Sequence, residues 1–394
     1  MMRALQKFCA VVLTSLVGTT AQAAVCTDAW PDWQRFAERW VQSDGRVLES
    51  SLEKNHSTSE GQSYALFFAL VANDQARFDA IWRWSRENLA GNDLQTALPA
   101  WLWGQGKDGR WQVQDANSAS DADLWFAYAL LEAARLWGKS EYQTDAGYLL
   151  ARVRAEEVAE LPGLGQMLLP GPEGFAHADH LWRLNPSYMP LPLLRRLARF
   201  EPQGPWQAIA ENTVTLVERG ADHGFIADWL GYRGTSERSG LFVSDPLKGD
   251  IGSYDAIRVY LWAGITDKGD PLRGKVLASL SGMAKATGSS GLPPEKVAVG
   301  QGRTEGAGPF GFSAALVPFF QAAQQPWLAE LQHKRARGGL EKALATERKA
   351  DQPPVYYDYM LSLFGLGWAQ QRYRFDADGN LHTFWESPCS ATTR

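Results

Sequence analysis

Apolar positions in this chain recur with a helical period, in two kinds of segment. One kind carries a single apolar stripe. Trp33, Phe36, Ala37, Trp40 and Val41 stand at i, i+3, i+4, i+7 and i+8, and similar stripes return at Phe78, Ile81, Trp82 and Leu89, at Ala146, Leu149, Leu150 and Val153, at Ile209, Thr213, Leu216 and Val217, and at Leu272, Val276, Leu280 and Met283. Such stripes predict amphipathic helices with one face in water. Between them lie segments that are apolar nearly all round, at 63–72, 124–137, 189–200, 256–264, 310–320 and 357–368. Helices of that composition have to be buried on every side.

The first turns of the all-apolar segments fall near Glu60, Asp121, Tyr188, Asp255, Phe310 and Tyr357, a weak repeat of six units. Their amphipathic partners begin near Asp28, Asp74, Tyr142, Pro205, Pro271 and Pro326, with Gly338-Gly339 expected to interrupt the last. A row of helical hairpins buries every inner helix only if it closes on itself. The fold class expected is therefore all-α, an (α/α)6 toroid of six inner and six outer helices, forming a single domain over 24–394. Alternating strand patterns are few. A small β-excursion is expected around 223–250, where Gly224, Tyr232, Gly234 and Gly240 cluster, and a loop is expected at Gly300, Gly302, Gly306 and Gly308.

The ends of the chain add a location. Basic Arg3 and Lys7, the apolar run 9–16 and the small-residue site Ala21-Gln22-Ala23 read as an export signal over 1–23, predicting a periplasmic or secreted protein. No later apolar run is long enough for a membrane span. Cys9 leaves with the signal, so Cys26 and Cys389 remain as a possible disulfide in an oxidising compartment. With 39 Lys and Arg against 44 Asp and Glu, the chain is acidic overall, which argues against a nucleic-acid groove or a polybasic membrane patch. Seventeen Trp, 12 Tyr and 17 Phe are a heavy aromatic load. Most belong to the core, but Trp101, Trp103 and Trp111 lie among Gly104, Gly106 and Gly109, and flat rings on loops suit the C–H faces of sugars.

In a toroid of this kind the N-terminal ends of the inner helices converge on one mouth, which places Glu60, Asp121, Tyr188 and Asp255 together. Each acid also has a capping reading. Ser57-Thr58-Ser59-Glu60 and Ser120-Asp121-Ala122-Asp123 fit capping boxes, and Ser253 is a plausible N-cap before Asp255. Asp123 takes the capping role at N3, which leaves Asp121 free to face the cleft. Three acids on converging helices favour a site over three independent caps. Arg258, three residues after Asp255, lies on the same helical face, where it can hold that carboxylate charged and aimed.

The run Ala119-Ser120-Asp121-Ala122-Asp123, followed by Ala127, Ala129-Leu130-Leu131, Ala133 and Trp137, resembles the signature of glycoside hydrolase family 8. Thr58-Ser59-Glu60-Gly61 is similar to that family's general-acid segment, Ser253 to Arg258 to its base segment, and Tyr356-Tyr357 to its late tyrosine pair. Phe126 departs from the signature, which has Ile or Met at this packing position. Within the family the chain is most similar to the short exported members that accompany bacterial cellulose synthase.

The resemblance implies an inverting endo-β-1,4-glucanase, a cellulase that needs no cofactor. Glu60 would protonate the leaving oxygen, and Asp255 would deprotonate the attacking water across a gap of ~6.5–9.5 Å. Asp121 would hydrogen-bond the sugar at the cleavage point, Tyr188 would stand near the water, and Arg258 would steady Asp255. Trp101, Trp182, Tyr254 and Tyr357 are candidates for stacking on sugar rings. A helix N-terminus opposes a protonated Glu60, so neighbouring aromatics or Asp121 must raise its pKa. The partner implied is a β-1,4-glucan, with a functional association with a cellulose synthase complex, no nucleic acid, and a monomeric state.

Other readings stay open at this point. The same fold could act on xylan, chitosan or mixed-linkage glucan, or bind polysaccharide without cleaving it. Asp121-x-Asp123 could be the D-x-D of a metal-dependent sugar transferase, but no nucleotide-binding α/β pattern accompanies it. A polysaccharide lyase would want a basic cleft. Among six His, only His177-x-x-His180 with Asp179 forms a cluster, and it reads as a polar loop, with no metal site expected.

Overall fold

The computed structural model describes residues 29–49, 56–345 and 355–386. The export signal and both Cys26 and Cys389 lie outside them. Thirteen helices are present among the described residues: α1 (Pro31–Trp40), α2 (Ser59–Val71), α3 (Gln75–Leu89), α4 (Ser120–Trp137), α5 (Ser140–Glu156), α6 (Leu191–Phe200), α7 (Trp206–Gly220), α8 (Ala256–Ile265), α9 (Arg273–Ser279), α10 (Gly282–Ser290), α11 (Phe310–Ala322), α12 (Pro326–Ala345) and α13 (Tyr356–Ala369). No helix among them is long and apolar enough to cross a membrane.

The segments read as all-apolar form the inner ring, α2, α4, α6, α8, α11 and α13, but α6 departs from that reading: only Leu191–Leu194 and Leu197 are buried, and Arg195, Arg196 and Arg199 give it a polar face. Every residue of α8 is buried, as is every residue of α2 except Glu60. The ring closes through aromatic contacts rather than through chain connectivity. Phe364 of α13 meets Phe68 and Tyr64 of α2 at 4.5 and 5.3 Å between ring centroids, Trp125 of α4 at 5.3 Å and Trp262 of α8 at 5.1 Å. Where inner helices approach most closely, glycine is required: a side chain on Gly365 would run into the Ala314 carbonyl of α11. One inner-ring acid away from the mouth is fully neutralised. Glu132 of α4, wholly buried, accepts from Arg135, from Arg196 of α6 and from the Leu381 N–H, tying two inner helices to the C-terminal hairpin.

The outer set departs from expectation at two places. The segment after Pro271 is split into the short helices α9 and α10. Conversely, α12 runs unbroken through Gly338-Gly339. Gly339 lies against Phe310 of α11, where a Cβ would collide with the ring, so this glycine serves helix packing and does not end the helix.

Strands are more numerous than the sequence pattern suggested, all antiparallel, and most lie in the connections that lead into the inner helices. Ser57–Thr58, Ala100–Gln105 and Trp111–Ser118 form one sheet ahead of α2 and α4. The expected excursion at 223–250 is part of a four-stranded sheet of Ala176–His177, Leu181–Leu184, Leu230–Ser236 and Ser239–Ser244. The glycines at 300–308 do not form a simple loop. Lys296–Ala298 pairs with Ile251–Gly252 on one side and with Arg303–Glu305 on the other, and Gly302 turns the chain into the last strand at φ +61°. These short strands surround the mouth, because each precedes an inner-helix N-terminus.

Candidate active site

Glu60, Asp121 and Asp255 stand at the starts of α2, α4 and α8, and other residues satisfy most of the caps they were suspected of forming. At α2 the N-cap is Thr58, whose Oγ1 accepts from the Gly61 N–H at 3.1 Å and donates to Glu49 Oε2 at 2.6 Å. At α8 the cap comes from a remote acid. Asp228 Oδ1 accepts the N–H groups of Ser253, Asp255 and Ala256 at 2.7, 3.2 and 2.7 Å, while Ser253 Oγ donates elsewhere, to the Glu295 carbonyl. At α4 the expected capping box does not form. Ala119 occupies the N-cap, Ser120 Oγ has no partner among the described residues, and Asp123 points inward toward Glu157. Ser120 and Asp123 are both completely inaccessible, and the Asp123 carboxyl is engaged with Glu157 and does not reach back to the N-cap.

Glu60 Oε1 accepts from the Trp101 indole N–H at 3.0 Å. Its pKa lies well above the usual carboxylate range, first because burial penalises the anion, then because Asp121 and Glu49 are negative neighbours. Asp121 is buried and pushed up to about 6 by the same desolvation, which Arg258 partly offsets. It accepts from Tyr64 Oη at 3.3 Å and from the Ala122 N–H at 2.9 Å. Asp255 accepts from two donors, Arg258 Nη2 at 2.9 Å and the Trp229 indole N–H at 3.1 Å. Arg258 also donates to Ser187 Oγ at 2.8 Å and stands 3.9 Å from Asp121 Oδ2, so one guanidinium links α8, α4 and the turn before α6. That turn is built by Asn185, whose Oδ1 accepts from Ser187, and it presents Tyr188 beside Trp229 with ring centroids 6.2 Å apart. Burial, then the three acids Asp121, Glu60 and Asp255, raise the Tyr188 phenol well above its ordinary value.

A cavity of about 250 Å³ opens beside Glu60, lined also by Trp101, Asn117, Phe175, Tyr188 and Trp229 among others; Asp121 and Asp255 are not among its lining residues, and Asp255 reaches it through its hydrogen bond from Trp229. Trp101 reaches it from a strand and not from a loop. The register slips between Ala100 and Leu102, a bulge of the kind that re-aims a side chain. Trp103 and Trp111, also on strands, turn away: Trp103 meets Trp84 at 5.2 Å and stacks on Trp111, with Arg46 over both rings. Tyr254 is exposed beside Tyr357, whose hydroxyl donates to the Tyr254 carbonyl at 2.6 Å. Trp182 is not among the cavity residues. It lies in cross-strand register with Tyr232 and Phe242, so that face of the sheet packs on itself. His177 ends a short exposed strand and His180 lies in the exposed turn after it, where Asp179 is paired with Arg233.

Sequence reasoning did not find Trp229, Asp228, Glu49 or Phe175. None stands at a helical spacing from the acids. The Trp229 ring, stacked on Phe175 at 5.8 Å and covered by Arg183, is brought to Asp255 by the sheet alone.

Comparison with known proteins decides the family. Residues 5–371 match the model of glycosyl hydrolases family 8. The chain belongs to this family. An endoglucanase of Pseudomonas fluorescens (strain SBW25) is 52% identical over 380 residues, 95% of each chain. An endoglucanase of Escherichia coli (strain K12) is 42% identical over 383 residues, 96% of this chain and 97% of its own length. Among solved structures, endo-1,4-D-glucanase from Vibrio fischeri ES114 is 37% identical with a TM-score of 0.82, the match covering 91% of this chain and all of that one. As a member of family 8 the chain is a glycoside hydrolase with the (α/α)6 architecture described above.

Proposed function

We propose that the chain is an exported endo-β-1,4-glucanase, periplasmic or secreted, that hydrolyses internal β-1,4-glucosidic bonds of cellulose with inversion and works alongside bacterial cellulose synthesis. The observation that carries the reading is the contrast between two acids at one mouth. Glu60, half-buried beside other acids, has its pKa held well above the usual carboxylate range, which favours the protonated form a general acid needs near neutral pH. Asp255 accepts two hydrogen bonds, one of them from a guanidinium, as suits a base that has to be aimed at water.

In this reading Glu60 protonates the glycosidic oxygen as the bond breaks, and Asp255 takes a proton from the water attacking the opposite face of the sugar. Asp121 hydrogen-bonds the distorted ring at the cleavage point, Tyr188 lines the water's approach, and Arg258 steadies Asp255. Trp101 offers a stacking face in the cavity, and Tyr254 and Tyr357, beside each other near Arg258, are further candidates for sugar contacts. The sequence similarity to endoglucanases over nearly whole chains supports the glucan substrate.

The test is reducing-end release from carboxymethylcellulose, with proton NMR of fresh product to read its anomeric form. The wild-type chain is expected to give the inverted anomer. Glu60→Gln is expected to lose roughly 10²–10⁴-fold in kcat while still binding oligosaccharide. Wild-type turnover in that variant, or retained configuration in the product, would overturn the assignment. Cellulose, mixed-linkage glucan, xylan and chitosan assayed side by side decide which polymer is preferred.

A further inference from the structure

Behind the groove wall lie two acids that this chemistry does not use. Asp123, in the first turn of α4, and Glu157, at the C-terminal end of α5, are both completely buried. Among the described residues neither Asp123 oxygen has a hydrogen-bond donor, nor does Glu157 Oε2, while Glu157 Oε1 accepts from Ser118 Oγ at 2.6 Å. The two carboxyl groups face each other within hydrogen-bonding reach. Ionised carboxylates only accept, so two of them in contact, away from water, would repel and leave both unsatisfied. One proton between them removes both costs.

The surrounding acids favour a proton on Asp123, which Glu157, Asp121 and Glu60 all raise, whereas hydrogen bonds from Ser118 and Asp123 suit Glu157 as the acceptor, against Asp121, which raises it. Arg258 of α8 stands against Asp121 and Asp255. Ser118, which anchors Glu157, also lines the cavity beside Glu60, and the Ser120 N–H is tied to the carbonyl of Pro170, another cavity residue. A shift at Asp123 is therefore felt at the cavity wall on one side and at Asp121, two residues away, on the other.

We propose that Asp123 and Glu157 hold a single proton between their carboxyl groups, and that this shared proton docks the first turn of α4 onto α5 and Ser118, keeping Asp121 in place beside Glu60. Both are positioning residues. The positioning half of the proposal rests on the glucanase reading, whereas the shared proton does not. Burial, with the negative Asp121 nearby, favours retention of that proton through neutral pH, raising Glu157 to about 8.

Two measurements test it. In a Glu60→Gln background at pH 7, the infrared C=O stretch of protonated carboxylic acids is expected to lose the intensity of one such group when Asp123→Asn and Glu157→Gln are added. A band whose intensity is unchanged by both substitutions overturns the shared proton, and this arm holds even for a chain with no hydrolytic activity. In steady-state kinetics on soluble glucan, Asp123→Asn, whose amide donates where the proton did, is expected to keep kcat within about threefold, whereas Asp123→Leu loses about tenfold or more in kcat with KM little changed. Equal loss in both variants, or none in either, overturns the positioning role. If the leucine variant does not fold, as judged by circular dichroism, Glu157→Gln replaces it with the opposite expectation, kcat within about threefold, and a tenfold loss there overturns the role.

Discussion

Arg258 and Trp229 divide the work of aiming Asp255, one with a charge and one with a neutral donor. The Trp229 indole N–H donates to Oδ2 while the ring is held by Phe175 and Arg183, so the donor is fixed independently of the carboxylate it serves. Trp229→Phe removes that donor and keeps a ring to stack on Phe175. A hydrogen bond to a charged group contributes roughly 1.5 kcal/mol or more, so kcat is expected to fall about tenfold. KM is expected to change little, since the lost bond is to the base and not to the sugar. Steady-state kinetics decide it, and an unchanged kcat would mean that Arg258 alone aims the base. The same scale explains why the acids and Arg258 were legible and Trp229 and Glu49 were not. Glu60, Asp121 and Asp255 sit in a repeated position, the first turn of an apolar helix, whereas Trp229 and Glu49 sit in connections and have no periodic mark.

At the scale of elements, what matters is who caps the inner helices. If Asp255 were its own helix's side-chain cap, its oxygens would be turned to backbone N–H groups and away from the cleft. Asp228, carried in from the connection after α7, accepts three N–H groups at the start of α8 and releases Asp255 for other work. Asp228→Ala leaves those donors without their acceptor and is expected to cost about 1–3 kcal/mol, read as a lowered midpoint in urea unfolding. Asp228→Asn, which keeps an acceptor oxygen, is expected to lose less. A midpoint unchanged by alanine would show that water replaces the carboxylate at no cost. The capping boxes read from the sequence around Glu60 and Asp123 were local explanations of these acids. They fail because Thr58 caps α2, and because Asp123 is drawn inward by a partner 34 positions further along the chain.

The whole molecule depends on closing the ring, and closure has a residue at its centre. Phe364 touches rings from three other inner helices. Phe364→Ala is expected to cost about 3–5 kcal/mol, with a lower melting temperature and a single cooperative transition retained. Thermal unfolding followed by circular dichroism checks both, and two separate transitions would mean that the toroid is not one cooperative unit.

A second expectation at this scale concerns pH. Glu49, Glu60 and Asp123 are raised by burial, as are Asp121, Asp228 and Asp358, each to about 6, and Glu157 to about 8. In the unfolded chain such groups release their protons near pH 4. Between roughly pH 4 and 8 the folded chain therefore holds more protons than the unfolded one, and stability has to fall as pH rises through that window. Calorimetry across it should show a declining melting temperature, and a rise would contradict the burial of these acids.

The division between sequence and fold follows from the range of the forces involved. Helical period and all-round apolarity are written in neighbouring residues, because a buried helix must be apolar wherever it is touched. Six inner helices, their order, their outer partners and the acids at their first turns were thus readable without coordinates. Pairing between distant segments is not local. The sheets around the mouth, the unbroken α12, the bulge that turns Trp101 inward, Trp229 on Asp255, Asp228 on α8 and Glu157 on Asp123 each join residues whose proximity no spacing encodes. Only the closed ring decided them, since closing it buries every inner surface at once and leaves each polar group to find whichever partner the packing has brought alongside.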